Sequence, residues 1–352
     1  MPNPLAEDLD YVLAQTGDLW EELRGRRLFL TGGTGFFGCW LLESFLWAND
    51  KLGLGSSVTV LTRKPEAFRT KAPHLAEHAA VEMLAGDVRS FEFPAGEFSY
   101  VIHAATESST KLNEMDPLLM LDAIIQGTRR TLDFAVHAGA RKFLLTSSVA
   151  VYGEQPAEIT HMPETYAGAP DTMDVGSAYA EGKRLAELLC AIYHRKHGIQ
   201  TKIARCFAFV GPHLPLDAHF AIGNFIRDAI GGGPVLVKGD GTPHRSYLYA
   251  ADLMIWLWTI LMKGDPCRPY NVGSDEDFTI AQVAETVASA AGQAGRVQTA
   301  SRPHPAGRRR YVPRTQRAKE DLGLGVTYGL RRAIERTCAW ATGAAGKEGR
   351  AL

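Results

Sequence analysis

The feature that most constrains this chain is a glycine run wedged between a strand and a helix. Thr31-Gly32-Gly33-Thr34-Gly35-Phe36-Phe37-Gly38 follows the apolar run Arg27-Leu28-Phe29-Leu30 and opens a helical pattern over 36–48. Gly32, Gly35 and Gly38 fall in a G-x-x-G-x-x-G spacing. Glycine permits the tight turn, lets the backbone approach a pyrophosphate, and lets the helix pack closely on the strand. The helix aims its free N–H groups and positive dipole end at that turn. A dinucleotide is the ligand such a turn accepts when it joins a strand to a helix.

The pattern then repeats. Apolar runs at 58–62, 81–84, 100–104, 142–146 and 201–205 read as strands, with helices predicted over 117–138 and 178–197. Apolar strands alternating with amphipathic helices imply a parallel sheet covered on both faces. After Arg205 glycine and proline become frequent, the strands shorten, and helices are expected at 219–230, 250–262 and 280–291. The domain reading is a helical extension over 1–26, a dinucleotide-binding domain over 27–205, a smaller interleaved substrate lobe over 206–341 and a flexible tail over 342–352. The extension, helical over 5–24, reads as a packing or dimer-contact element.

Composition narrows the class. Apolar content of 45% and charged content of 22% are ordinary for a globular protein, and a net charge of −1 argues against a nucleic-acid partner. The five cysteines are scattered, which suggests a reducing compartment. Glu7, Asp8 and Asp10 argue against a signal peptide, and the apolar run 253–262 is too short to span a bilayer. A cytoplasmic enzyme without membrane attachment is expected. Of the eleven histidines, His194 and His197 lie three residues apart, and no cysteine or acidic cluster joins them, so no metal site is expected.

Two further places carry chemistry. Leu61-Thr62-Arg63-Lys64 ends the second strand, where an acidic residue would bond the adenosine ribose of NAD. Arg63 and Lys64 suit a 2′-phosphate instead, so NADP(H) is favoured over NAD(H). Arg63 stacking on the adenine of NAD is the bland alternative. Asp87, before Val88, is placed to meet the adenine amino group or to cap a turn. Tyr179-Ala180-Glu181-Gly182-Lys183 puts a phenol and an ammonium four residues apart, on one helix face. A cation there favours the phenolate, which can take a hydroxyl proton while a carbon gives hydride to a nicotinamide. Ser148, ending a strand, can bond the same oxygen.

With these residues the chain resembles the extended short-chain dehydrogenase/reductase family, in its nucleotide-sugar epimerase/dehydratase branch. The likeness runs from about Arg27 to Leu324. It includes His103-Ala104-Ala105, Ser147-Ser148-Val149-Ala150-Val151-Tyr152-Gly153, Arg205 to Pro212, Gly239 to Arg245, Tyr270-Asn271-Val272-Gly273 and Arg309-Arg310-Tyr311. The resemblance implies an α/β fold, a Rossmann-type doubly wound parallel sheet with a smaller C-terminal substrate-binding lobe. It implies catalysis by Ser148, Tyr179 and Lys183. Cofactor contacts would come from Gly32, Gly35, Phe36, Phe37, Gly38, Arg63, Asp87, Val88, Ala104, Ala105, Thr106, Tyr179 and Lys183. Glu107, Ser108, Ser148, Asn224, Arg245 and Arg310 would meet a nucleotide-sugar substrate, the two arginines at its diphosphate.

The departures direct the chemistry. Dehydratases of this branch carry an Asp-Glu pair after the Ser/Thr, and decarboxylases usually keep the Glu; Val149 and Ala150 stand there. Ala208 replaces a usual Asn, Ser246 a frequent Asp and Arg314 a common Asp. The expected function is therefore NAD(P)-dependent C4 epimerisation of a nucleotide-activated hexose. NADPH-dependent reduction of a nucleotide 4-keto sugar is the alternative; a 4,6-dehydratase and a catalytically silent dinucleotide-binding regulator are less favoured. Glu107 is expected to hydrogen-bond the sugar, with an auxiliary acid/base role as the alternative. A homodimer through the helices 117–138 and 178–197 is expected, with Leu121, Ile124, Leu185, Leu188 and Leu189 supplying buried surface.

Overall fold

The computed structural model describes residues 3–106, 110–218, 220–301 and 309–348. Its centre is a parallel sheet. Strands β1 (Arg27–Thr31), β2 (Ser57–Thr62), β3 (Val81–Ala85), β4 (Tyr100–His103), β5 (Lys142–Ser148) and β6 (Gln200–Cys206) are joined by a late strand, Pro269–Val272. The spatial order, from the late strand, is Pro269–Val272, β6, β5, β4, β1, β2, β3, and every pairing is parallel. The order reverses direction between β1 and β4. In a doubly wound Rossmann-type sheet this switch point opens a crevice at the carboxyl ends of the strands.

Alternation along the strands divides the core between the two faces. Leu28, Leu30, Val58, Val60, Ile102 and Leu144 pack in one cluster with the glycine-loop helix Phe36–Leu52 and the helix Ala250–Lys263. Phe29, Val101, Phe143 and Leu145 point the other way, into a cluster with Pro117–His137 and Ala178–His197. Ala250–Lys263 is buried at every position from Ala250 to Met262, as a helix apolar all round must be. This helix and the late strand Pro269–Val272 come from the second half of the chain, so the lobes share one core. No described helix is long and apolar enough to cross a membrane.

The N-terminal extension breaks in two, against the expectation of one helix over 5–24. An α-helix, Ala6–Thr16, gives way at Gly17 to a 3-10 segment, Gly17–Leu23. Leu9, Val12, Trp20 and Leu23 are buried. Trp20 meets Trp258 at a ring separation of 4.9 Å, and Asp8 accepts a hydrogen bond from the Tyr249 hydroxyl at 2.8 Å. The packing half of the expectation is the one realised. The flexible tail expected from residue 342 is instead helical as far as Glu348, as part of Leu330–Glu348. Its alanines favour helix once the preceding turns are anchored by buried Ala333 and Ile334.

The helices Pro117–His137 and Ala178–His197 pack on each other. Ile124 is buried, and a Cβ built at Gly182 would meet its Cδ1 at 3.1 Å, so Ile124 belongs to this contact and not to an outward face. Leu118, Leu185, Leu188 and Ile192 remain exposed, while Leu121 and Leu189 are half-buried.

Candidate active site

A cleft of about 1450 Å³ lies along the carboxyl edge of the sheet. At its floor Gly32 has a φ of +73°, and an added Cβ would meet the Ala104 carbonyl oxygen at 2.4 Å. Only glycine allows β1 and β4 to approach so closely where the chain turns. Gly38 does not line the cleft; its missing Cβ would strike the Gly32 oxygen and Gly33 Cα at 2.3 Å, so it seats the helix on the turn. Gly35 is the N-cap of Phe36–Leu52, and no side chain caps that end. With Phe36 and Phe37 on the cleft wall, the helix offers its first N–H groups to an anion. These features fit a dinucleotide pyrophosphate.

A buried polar chain locks this floor. Thr31 Oγ1 accepts from the Ala105 N–H at 3.1 Å and pairs with His103 Nδ1 at 2.8 Å, while His103 Nε2 pairs with Thr128 Oγ1 at 3.1 Å. Burial pushes the His103 imidazole down to about 3, so the ring is neutral. Ala104, Ala105 and Thr106 thereby line the cleft in a fixed path. Glu107 and Ser108 lie outside the described residues.

The adenosine end, past β2 and β3, is more basic than expected. Arg63, Lys64, Lys71 and Arg89 all line it, together with Asp87 and Val88. Lys71 Nζ donates to the Thr34 carbonyl at 3.0 Å. Asp87 caps its own turn: its Oδ1 accepts from Arg89 Nε at 2.8 Å and from the Arg89 N–H at 2.9 Å, and its Oδ2 from Arg89 Nη2 at 3.0 Å. Its side chain still faces the cleft, with Oδ2 holding one bond. Those Arg89 bonds, with the Arg63 charge behind them, hold the Asp87 carboxyl below the usual range. The two-residue spacing of Asp87 and Arg89 was visible in the sequence, but a fork closing back on its own turn is set by backbone angles.

Ser148, Tyr179 and Lys183 meet on the opposite wall. Ser148 ends β5 and caps the short 3-10 turn Val149–Tyr152, its Oγ accepting from the Ala150 N–H at 3.2 Å. The Tyr179 phenol and the Ser148 side chain line the cleft side by side. Lys183 Nζ donates to Thr106 Oγ1 at 2.6 Å and to the Thr146 carbonyl at 2.8 Å. Burial pulls its ammonium down to about 8. Burial also pushes the Tyr179 phenol up, and the Ser148 side chain works against that. Two of the three Lys183 ammonium donors go to Thr106 and Thr146.

The substrate-side residues are divided. Arg245 lines the cleft over the Tyr311 ring at 4.7 Å, its Nη1 donating to the His244 carbonyl at 2.8 Å. Arg310 does not line it. Its guanidinium is paired with Asp277, which also holds His244 Nδ1 at 2.6 Å. Asn224 is likewise off the cleft and accepts from Arg227 at 3.1 Å. Val149, Ala150, Phe207 and Ala208 form the wall beside Ser148. Asn113, which the sequence reading passed over, also faces the cleft. No group of three or more His, Cys, Asp or Glu placed to hold a metal occurs among the described residues.

A parallel sheet with an uncapped glycine-turn helix and a Ser-Tyr-Lys wall defines a dinucleotide-dependent enzyme of the extended short-chain dehydrogenase/reductase type. The sequence pattern of the NAD dependent epimerase/dehydratase family matches residues 28–273, and the chain belongs to that family. It is 33% identical over 314 residues to UDP-glucuronic acid decarboxylase 1 of Arabidopsis thaliana, covering 88% of this chain and 68% of the relative. Among solved structures, UDP-glucose 4-epimerase of Thermotoga maritima superposes with a TM-score of 0.76 at 20% identity, covering 91% of this chain and 99% of that one. The dTDP-glucose 4,6-dehydratase DesIV of Streptomyces venezuelae gives 0.77 at 22%, covering 91% and 98%. Those two likenesses show the fold, which carries different reactions.

The depressed Lys183 pKa makes a stability statement. Between about 8 and the ordinary lysine value near 10.5 the unfolded chain holds a proton that the native state has lost. Native stability therefore rises with pH across that window. Lys183→Met removes this dependence. Denaturant titrations from pH 7.5 to 10.5 should show the parent gaining stability relative to Lys183→Met as pH rises; parallel curves would contradict the buried ammonium.

Proposed function

We propose that this protein is a nucleotide-sugar epimerase that oxidises and re-reduces one carbinol, C4, of a nucleotide-activated hexose. One observation carries the reading. The Ser148 side chain lies beside the Tyr179 phenol on the cleft wall, and among the described cleft-lining residues the one carboxylate is Asp87, bonded to Arg89 at the far end. A bound nicotinamide supplies hydride acceptance and return. Tyr179 takes the C4 hydroxyl proton and gives it back, and Ser148 holds that same oxygen and stabilises the charge that develops on it. The empty-site phenol sits high, so it becomes an effective base when positive charge enters the cleft beside it. Lys183 fixes the helix face that presents Tyr179. Arg245 is the cation that meets the diphosphate, and Arg310 reaches it only on leaving Asp277.

The plant relatives are named as decarboxylases of UDP-glucuronic acid, and the family also names dehydratases. Both activities need a group to handle a further proton, and Val149 and Ala150 offer none. A specific observation favours a second reading, the NADPH-dependent 4-ketoreductase: Arg63, Lys64, Lys71 and Arg89 crowd the adenosine end, where a 2′-phosphate is the natural partner. NADP(H) is the cofactor proposed for either. Five free cysteines, four of them buried, agree with a cytoplasmic setting.

Incubation with UDP-, dTDP-, CDP- and GDP-hexoses and UDP-glucuronic acid, followed by mass spectrometry and NMR, tests the reaction. Interconversion of C4 epimers without mass change is expected, and Tyr179→Phe should cut it by about 10²-fold or more. Accumulation of a product lighter by water or carbon dioxide would restore the dehydratase or decarboxylase reading.

Arg63→Asp removes a phosphate partner and adds a repelling charge. Equilibrium titration should show NADP⁺ weakened far more than NAD⁺. Equal affinities before and after would remove Arg63 from the 2′ position.

A homodimer is proposed through the outward faces of Pro117–His137 and Ala178–His197. Leu185, Leu188 and Ile192 are 41%, 54% and 47% exposed along one stripe, and burying the exposed half of each is worth about 1 kcal/mol. Light scattering at micromolar protein should return twice the chain mass, and Leu188→Glu should halve it.

A further inference from the structure

The helix that presents Tyr179 and Lys183 begins without a cap of its own. Its N-cap, Ser177, makes no side-chain capping bond, and the 3-10 turn before it, Val175–Ser177, ends where the helix starts. The missing partner comes from Asn113, which is remote in sequence. Asn113 lies on the short helix Thr110–Met115, beyond the end of β4. Its Oδ1 accepts from the Tyr179 N–H at 3.1 Å, and its Nδ2 donates to the Gly176 carbonyl at 2.7 Å. One carboxamide thus satisfies a helix-start donor and the turn acceptor before it, in a planar two-bond clamp. A second tie runs one turn further on, from Lys183 Nζ to Thr106 Oγ1 at 2.6 Å. Together they fasten the helix, at both of its site residues, to the chain that leaves β4.

We propose that Asn113 is a positioning residue for Tyr179. It acts on the tyrosine's own backbone N–H, so it sets where the Cα–Cβ bond starts and hence how the phenol meets Ser148. The partnership is specific. A side chain that only accepts, or only donates, makes half of the clamp. Loss of the clamp lets the first turn fray, as uncapped helix ends do. The approach of the Tyr179 phenol to Ser148 is set from that first turn and loosens with it. Asn113 itself moves no proton.

The inference rests on the role proposed for Tyr179, and the experiment separates the two. Protein carrying ¹³C-labelled tyrosine is titrated by NMR as the full chain, with Tyr179→Phe identifying the Tyr179 signal, and turnover is followed in parallel. Asn113→Ala should lower kcat about tenfold with little change in KM, and move both the Tyr179 titration and the basic limb of the rate profile upward. Asn113→Asp, which keeps the acceptor facing Tyr179 N–H, should retain more of kcat than Asn113→Ala and serves if the alanine variant does not fold. Turnover and phenol titration within twofold of the parent in the variants that fold would overturn the inference, as would a lowered Tm with an unmoved pH profile. Full activity of Tyr179→Phe would instead remove the catalytic proposal and leave the NMR titration to judge the clamp.

Discussion

The site hangs on a cation taken out of water. Lys183 is 3% exposed, and its ammonium faces the Thr146 carbonyl and the Thr106 hydroxyl. Those two oxygens belong to β5 and to the segment after β4, so the bonds that solvate the charge also stitch the helix to two strand ends. Burial depresses the ammonium to about 8, which measures how incompletely the two oxygens replace water. A buried group that costs stability is retained where its position matters, and this one lies one helical turn from Tyr179. Further along the same face, Glu187 holds Arg205 at 2.6 Å and accepts from the Ser147 hydroxyl, fixing the strand that ends in Ser148. Tyr179, Lys183 and Glu187 therefore form one helix edge with polar attachments to the segment after β4 and to the ends of β5 and β6.

Charge is divided along the cleft in a way that gives its two ends different tasks. At the end past β2 and β3 four cations line the cleft with one carboxylate, and Asp87 is gripped by the Arg89 fork with the Arg63 charge nearby. At the other end Arg245 is desolvated against Tyr311 and has backbone carbonyls for partners. Arg310, its neighbour across the pairing of His244–Arg245 with Arg310–Tyr311, is already matched by Asp277. An anion entering beside Arg245 thus meets one available guanidinium and one that must be released. Between the two ends Val149, Ala150, Phe207 and Ala208 give an apolar wall beside the Ser148 hydroxyl, and Thr106, Asn113 and Lys183 also line the cleft.

The alternation of apolar runs and helices in the sequence already implied the parallel sheet, because period-2 and period-3.6 patterning are local properties of the chain. The glycine spacing and the four-residue spacing of Tyr179 and Lys183 were legible for the same reason: a turn and a helix face are set by neighbours. Gly32, Phe36, Phe37, Arg63, Ala104 to Thr106, Ser148, Tyr179, Lys183 and Arg245 all reach one cleft. Where the structure adds to the reading, the contact came from elsewhere in the fold or from a turn closing on itself. Arg310 is claimed by Asp277, Asp87 by Arg89, and Ile124 by the face of the neighbouring helix at Gly182.

By itself the sequence determined the strands, the helices, the turn that receives an anion and the helix face that bears a phenol and an ammonium, since each follows from residues a few positions apart. Only the tertiary structure decided which charges stay available and which are cancelled, that the Lys183 ammonium faces Thr106 and Thr146, and that Asn113 closes the start of the helix carrying Tyr179. Hydrogen bonds and ion pairs select partners by angle and distance in space, to within a few tenths of an ångström. That precision exists only once the sheet has brought distant segments to a common edge.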